Sequence, residues 1–218
     1  MFRSFKTSAL IGLTVLLTAC AAPVKYDYTA FRKAKPQSIV VLPPLNESPD
    51  IKASYSFLSS VTMPLAESGY YVFPVALVDQ TFKENGLQNP GEMHQAPLPK
   101  LREIFGADAG LFITITKYGS SYTVLDSQVV VAATAKLVDL RDGELLWQGR
   151  ASASDAEGRN NSGGLVGALV GAVVRQIVAS AREDAGYPIA RITSNRLLRA
   201  HPPNGLLYGP RSPLFEKD

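Results

Sequence analysis

Hydrophobic positions alternate between two periods along this chain. Ser38-Ile39-Val40-Val41-Leu42 is a short continuous apolar run closed by Pro43-Pro44, the pattern of a buried strand. Asn46 to Asp50 reads as a turn or loop. Over Ala53–Glu67 the period becomes helical, with Phe57, Leu58, Val61 and Leu65 on one face. Pro64 lacks a backbone donor and crowds the preceding turn, so this helix must kink or start late. Gly69 is a natural stop. Tyr70-Tyr71-Val72-Phe73 reads as a second strand ended by Pro74. A helix over Val75–Glu84 follows, with Val78, Thr81 and Phe82 inward. Residues 86–97 read as a loop. A third helix starts near Pro99, with Leu98, Leu101, Ile104 and Phe105 as its core face and Gly106 as its end.

The pattern then turns to period two. Leu111, Ile113 and Ile115 face one side of a strand, and Phe112, Thr114 and Thr116 the other. Gln128–Val138 is a second, Val- and Ala-rich strand. Asp142-Gly143 suits a type I′ hairpin turn into a strand from Leu145 to Ser154, with Leu145 and Trp147 on one face. Asp155–Gly164 is polar and rich in Gly and Asn, a loop pattern. Gly163, Gly167 and Gly171 recur every four residues in an uncharged run, so a helix there would line them along one groove. Such a groove suits close packing within the monomer, self-association, or membrane contact. A last helix is expected over Pro188–Ala200, with Ile189, Ile192 and Leu197 inward. The tail from His201 is rich in Pro and Gly, with Leu206, Leu207 and Tyr208 able to dock it. The order β-α-β-α-α-β-β-β-α-α predicts an α/β (α+β) sandwich, a mixed sheet of about five strands with helices packed on it.

The amino terminus carries an address. Arg3 and Lys6 precede an apolar stretch, Ser8–Thr18, of signal-peptide length and too short to span a bilayer comfortably. Leu17-Thr18-Ala19-Cys20 resembles a bacterial lipobox, which implies acylation of Cys20 at a new amino terminus. Cys20 is the one cysteine in the chain, so no intramolecular disulfide is possible. Ala21 rather than Asp follows it, which by resemblance to sorted Gram-negative lipoproteins favours the outer membrane. The expected organisation is signal peptide 1–19, lipidated tether 20–37, one α/β domain 38–200 and irregular tail 201–218. Tyr26, Tyr28 and Phe31 are apolar enough to dock part of the tether.

Removing 19 of the 218 residues leaves 199, enough for one domain with a real core. The net charge of +3 falls to +1 once Arg3 and Lys6 leave, and this balance argues against a nucleic-acid partner. The short basic patch Arg32-Lys33-Ala34-Lys35 reads as solvated linker, or as a contact for anionic headgroups. With one Cys and two histidines, His94 and His201, no Cys/His metal set exists, and no cofactor is expected. No Gly-x-Ser-x-Gly elbow and no phosphate-cradling motif occurs. The expectation is therefore a protein without enzymatic activity.

Taken together, the lipobox, Ile39–Pro44, Tyr70–Val78, the Asp142-Gly143 hairpin with Trp147, and Tyr208-Gly209-Pro210 resemble a family of Gram-negative lipoproteins of unknown function that includes a meningococcal vaccine-candidate antigen. The resemblance implies a fold similar to the TolB N-terminal domain. It implies envelope proteins as partners, among them a lipoprotein similar to CsgG; the lipobox separately adds membrane lipid through Cys20, and the glycine spacing a second copy of the chain. The expected role is a lipid-anchored accessory or scaffold of an envelope assembly or transport complex on the periplasmic face of the outer membrane. The alternatives are a regulator activating a periplasmic cell-wall synthase and a hydrolase with a cryptic site.

Overall fold

The computed structural model describes residues 26–122, 127–158 and 184–217. The chain begins with helix α1 (Thr29–Ala34), then strand β1 (Ser38–Val41), strand β2 (Leu45–Asn46), helices α2 (Ala53–Leu58) and α3 (Thr62–Glu67), and strand β3 (Tyr71–Val72). Helices α4 (Val75–Glu84), α5 (Pro90–Met93) and α6 (Leu98–Phe105) follow. The long strands β4 (Ala109–Tyr122), β5 (Ser127–Asp139) and β6 (Leu145–Ser154) come next, and helix α7 (Gly186–Leu198) closes the set. The sheet is mixed, in the order β3-β1-β4-β5-β6, with β2 also on β4. β1 runs parallel to β3 and β4, whereas β4, β5 and β6 form an antiparallel meander.

Period-two alternation sorts the two faces. Ile39, Val41, Leu111, Ile113, Ile115 and Leu137 turn one way and pack under α1, α2, α3 and α7 in the larger core. Val40 and Leu42 turn the other way, against Val78 and Phe82 of α4, Met93 of α5 and Leu101 of α6. The α/β sandwich expected from the pattern is therefore present, with six strands rather than about five. The extra strand is β2, in the stretch read as a loop. Pro43-Pro44 interrupts the ladder, which β2 resumes at Thr114 and Ile115 of β4.

Other local differences have physical causes. The helix expected over 53–67 is two helices, and Pro64 falls in the first turn of α3, where no intrahelical acceptor awaits its missing N–H. Residues 90–93, read as loop, form α5, capped by Asn89 Oδ1 accepting from Glu92 N at 3.0 Å with Pro90 at its first position. Ile104, expected in the core, is 48% exposed.

The β5–β6 hairpin is not a type I′ turn. Gly143 has φ +81°, but Asp142 does not share the positive φ that this turn requires. Leu140 is buried in the smaller core, and its N–H bonds Asp108 O at 2.9 Å, which pulls the loop open. Arg141 turns back to the Asp139 carboxylate and to Ala34 O at 3.0 Å. At the start of β6 a bulge shifts the register, pairing Leu137 with Trp147 and Val138 with Leu145. Leu146 and Trp147 are consequently both buried, and Leu145, expected beside Trp147, is exposed.

Candidate functional site

Cys20 and the glycine run Gly163, Gly167 and Gly171 lie outside the described residues. Both histidines are described. His94 sits with Nε2 2.9 Å from Pro43 O and its ring edge-on to Phe112 at 5.4 Å. Burial holds its pKa below the ordinary value against the opposing pull of the Pro43 bond, so the neutral ring donates Nε2–H to that carbonyl. His201 Nδ1 lies 2.8 Å from Arg199 O. Each histidine thus meets a backbone carbonyl, not a nucleophile. Among the described residues no group of three His, Cys, Asp or Glu side chains is placed to hold a metal ion, and no helix is long and apolar enough to cross a membrane.

The first described residues and the carboxy-terminal tail assemble one distinct face. Tyr28 and Phe31 put α1 into the larger core, where they are 9% and 4% exposed. Asp27 Oδ1 accepts from Thr29 N at 2.9 Å, a local turn bond just before that helix. The carboxy-terminal tail packs beside it. Tyr26 N donates to Asn204 Oδ1 at 3.0 Å, and the Tyr28 hydroxyl donates to Gly205 O. The Tyr70 hydroxyl donates to Leu207 O at 2.6 Å, and Leu206 and Leu207 are buried. Between α1 and the tail lies a cavity of about 280 Å³ walled by Phe31, Tyr70, Leu207 and Phe215. Arg32, Lys35 and Glu216 stand at its edge, and Lys35 forms an ion pair with Glu216.

A second groove, of about 410 Å³, runs between α4, α5 and α6 over Phe82, Leu87 and Leu101, with the exposed Ile104 at its side.

Asp184 ties the start of α7 to the sheet. Its carboxylate accepts from Ser56 Oγ at 2.7 Å, from the Tyr118 hydroxyl at 2.8 Å, and from Gly186 N at 3.0 Å. Burial works to raise its pKa, yet these bonds hold the group below the ordinary carboxylate range. Burial, with Asp184 alongside, pushes the Tyr118 phenol above its ordinary range. A lowered carboxylate contributes stability that is present above its unfolded pKa and lost as pH falls through the folded one. Urea midpoints of the wild type should therefore drop below about pH 4. In Asp184→Asn the protein should start less stable at pH 7 and lose less on acidification. Parallel pH profiles for the two proteins would refute this.

The sequence pattern pointed to Cys20 and the glycine run, held Lys35 only as one member of the basic patch 32–35, and gave no sign of Glu216. Lys35 and Glu216 lie 181 positions apart. No local pattern joins them; only the docking of the tail on α1 does.

Comparison with known proteins adds to this geometry. The profile of the family described as "Putative lipoprotein GNA1162-like" matches residues 26–211. A Neisseria meningitidis serogroup B protein named "Putative lipoprotein NMB1124/NMB1162" is 50% identical over 207 residues, 93% of this chain and 95% of its own length. The crystal structure of the lipoprotein GNA1162 from Neisseria meningitidis is 51% identical, with a TM-score of 0.53, over 66% of this chain and 100% of that one.

Proposed function

This chain belongs to the GNA1162-like lipoprotein family, and from that premise we propose that it is a membrane-proximal accessory component of an envelope assembly or transport complex. In this proposal acylated Cys20 anchors the domain at the periplasmic face of the outer membrane, and the protein works through protein partners rather than by catalysis. Ala21 after Cys20 supports that membrane.

One observation carries the reading. Among the described residues packing is present from Tyr26 and Tyr28 onward, so at most residues 21–25 separate Cys20 from the packed domain. The six extended steps from Cys20 to Tyr26 reach about 22 Å at most. That span suits a complex assembled at the membrane surface, and it disfavours a regulator that must reach across the periplasm to a cell-wall synthase. A catalytic role would need a nucleophile and base brought together, and the described contacts of His94 and His201 offer none.

Photocrosslinking in cells tests the placement. Crosslinkers at the exposed positions Arg32 and Arg211, on the α1 and tail segments, should capture envelope proteins at the membrane. A spacer of about 20 Gly/Ser residues after Ala22, roughly 25 Å in root-mean-square length, should abolish that capture. Capture unchanged by the spacer would refute membrane proximity.

A further inference from the structure

We infer that the cavity between α1 and the carboxy-terminal tail binds one membrane lipid with an anionic headgroup. The acyl chain lies against Phe31, Tyr70, Leu207 and Phe215, and the head takes the place of the Glu216 carboxylate on Lys35. The inference relies on the proposed membrane proximity for the source of the lipid, whereas the site itself stands on described residues.

The cavity has the chemistry of an amphiphile site. Its walls are aromatic and aliphatic, and its volume of about 280 Å³ falls near the lower end of ligand pockets. Cationic side chains are part of its lining: Arg32 and Lys35 border the cavity, and the exposed Lys33 sits on the same helix as Arg32. An anionic head over an apolar chain matches both parts. Anionic membrane surfaces attract basic clusters of this kind.

The Lys35–Glu216 pair marks where the head docks. Among the described residues these are the only two non-glycine positions with positive φ, +43° and +58°. Both side chains are more than half exposed. Lys35 takes its positive φ as the left-handed cap that closes α1, its N–H on Phe31 O at 2.9 Å. No helix end accounts for Glu216, and an exposed ion pair contributes little to stability, so it does not by itself account for that unfavourable conformation. Held this way, the tail puts a carboxylate at the cavity edge on a contact weak enough to exchange. A phosphate head of like charge replaces it without leaving a cation unpaired.

The chain outside the structure locates the supply. The described residues begin at Tyr26, whose N–H is fixed to Asn204 of the tail segment, and Cys20 lies six positions before it. The anchor therefore keeps this cavity within a short reach of the bilayer surface.

Two substitutions that break the same ion pair decide the matter. The mature chain from residue 20, carrying Cys20→Ala, is titrated with short-chain phosphatidylglycerol and, separately, phosphatidylcholine, and bound lipid is counted by native mass spectrometry. One phosphatidylglycerol per chain is expected, with phosphatidylcholine clearly weaker. Glu216→Gln removes the competing carboxylate and should tighten phosphatidylglycerol binding about threefold, whereas Lys35→Gln should weaken it about threefold. A merely structural clasp predicts that both variants change alike or not at all, and that result overturns the proposal. Equal binding of the two lipids overturns it too. So does an acylated wild-type protein that refuses added lipid while the Cys20→Ala chain accepts it, since the anchor's own acyl chain would then fill the cavity. Capture from Arg32 and Arg211 reads membrane proximity independently, so either claim can fail without the other.

Discussion

Replacing Cys20 by alanine, behind a signal peptide cleaved just before residue 20, will move the protein from the membrane pellet to the soluble periplasmic fraction. The expected loss is nearly complete. Each buried methylene contributes about 0.8 kcal/mol to membrane attachment, and one acyl chain alone gives only marginal binding. A lipoprotein carrying three chains is held essentially permanently, and no described helix can substitute for them by crossing the bilayer. The basic α1 surface offers a much weaker attraction of about 1 kcal/mol per cation, which salt removes. Fractionation in high salt with metabolic labelling by a fatty-acid analogue checks the prediction. An unacylated Cys20→Ala protein pelleting at wild-type level would reject lipid anchoring. A pellet that high salt disperses would assign the residual binding to the surface.

Ending the chain at Ala200 will abolish cooperative unfolding, although the described residues it deletes, 201–217, contain no regular helix or strand. Leu206 and Leu207 are 0% and 5% exposed, and burying each contributes about 1.5–3 kcal/mol. The deletion also strips partners from groups that stay behind. Tyr70 and Tyr28 lose the acceptors Leu207 O and Gly205 O, while Ser68 O and Gly69 O lose the donors Gly209 N and Arg211 N. A buried polar group left unsatisfied costs about 1–3 kcal/mol. Together these losses match the about 5–15 kcal/mol that typically separates folded from unfolded domains. Leu206→Ala, which leaves the backbone bonds intact, should cost about 2–5 kcal/mol by urea denaturation. A truncated chain unfolding at the wild-type midpoint would show the tail to be dispensable.

The tail shows why some of the fold was legible and some was not. Leu206, Leu207 and Tyr208 stood out as docking candidates because three large apolar residues in a Pro/Gly-rich stretch need cover. Nothing local showed that Gly209 must meet Gly69, where an added Cβ on Gly209 would lie 2.6 Å from Gly69 O. Gly69 itself has φ +97°, which suits its reading as a helix stop. The same division runs through the hairpin. Its existence followed from Asp142-Gly143, but its length followed from Leu140 entering the smaller core and from Arg141 reaching Asp139 and Ala34.

On its own, the sequence determined whatever depends on neighbours in the chain. It carried the expectation of an address, because charge, apolar length and small residues before Cys20 are read in order. It carried the long strands and most helices, because periods of two and 3.6 are local properties of side-chain direction. It carried the family, because similarity extends over residues 26–211. Tertiary structure decided what distant residues impose on one another. The second ladder segment after Pro43-Pro44 needs β4 beside it. The bulge that buries both Leu146 and Trp147 needs β5. The cavity edged by Lys35 and Glu216 needs the last residues of the chain to return to the first helix, because a pair 181 positions apart meets only when both ends share one core.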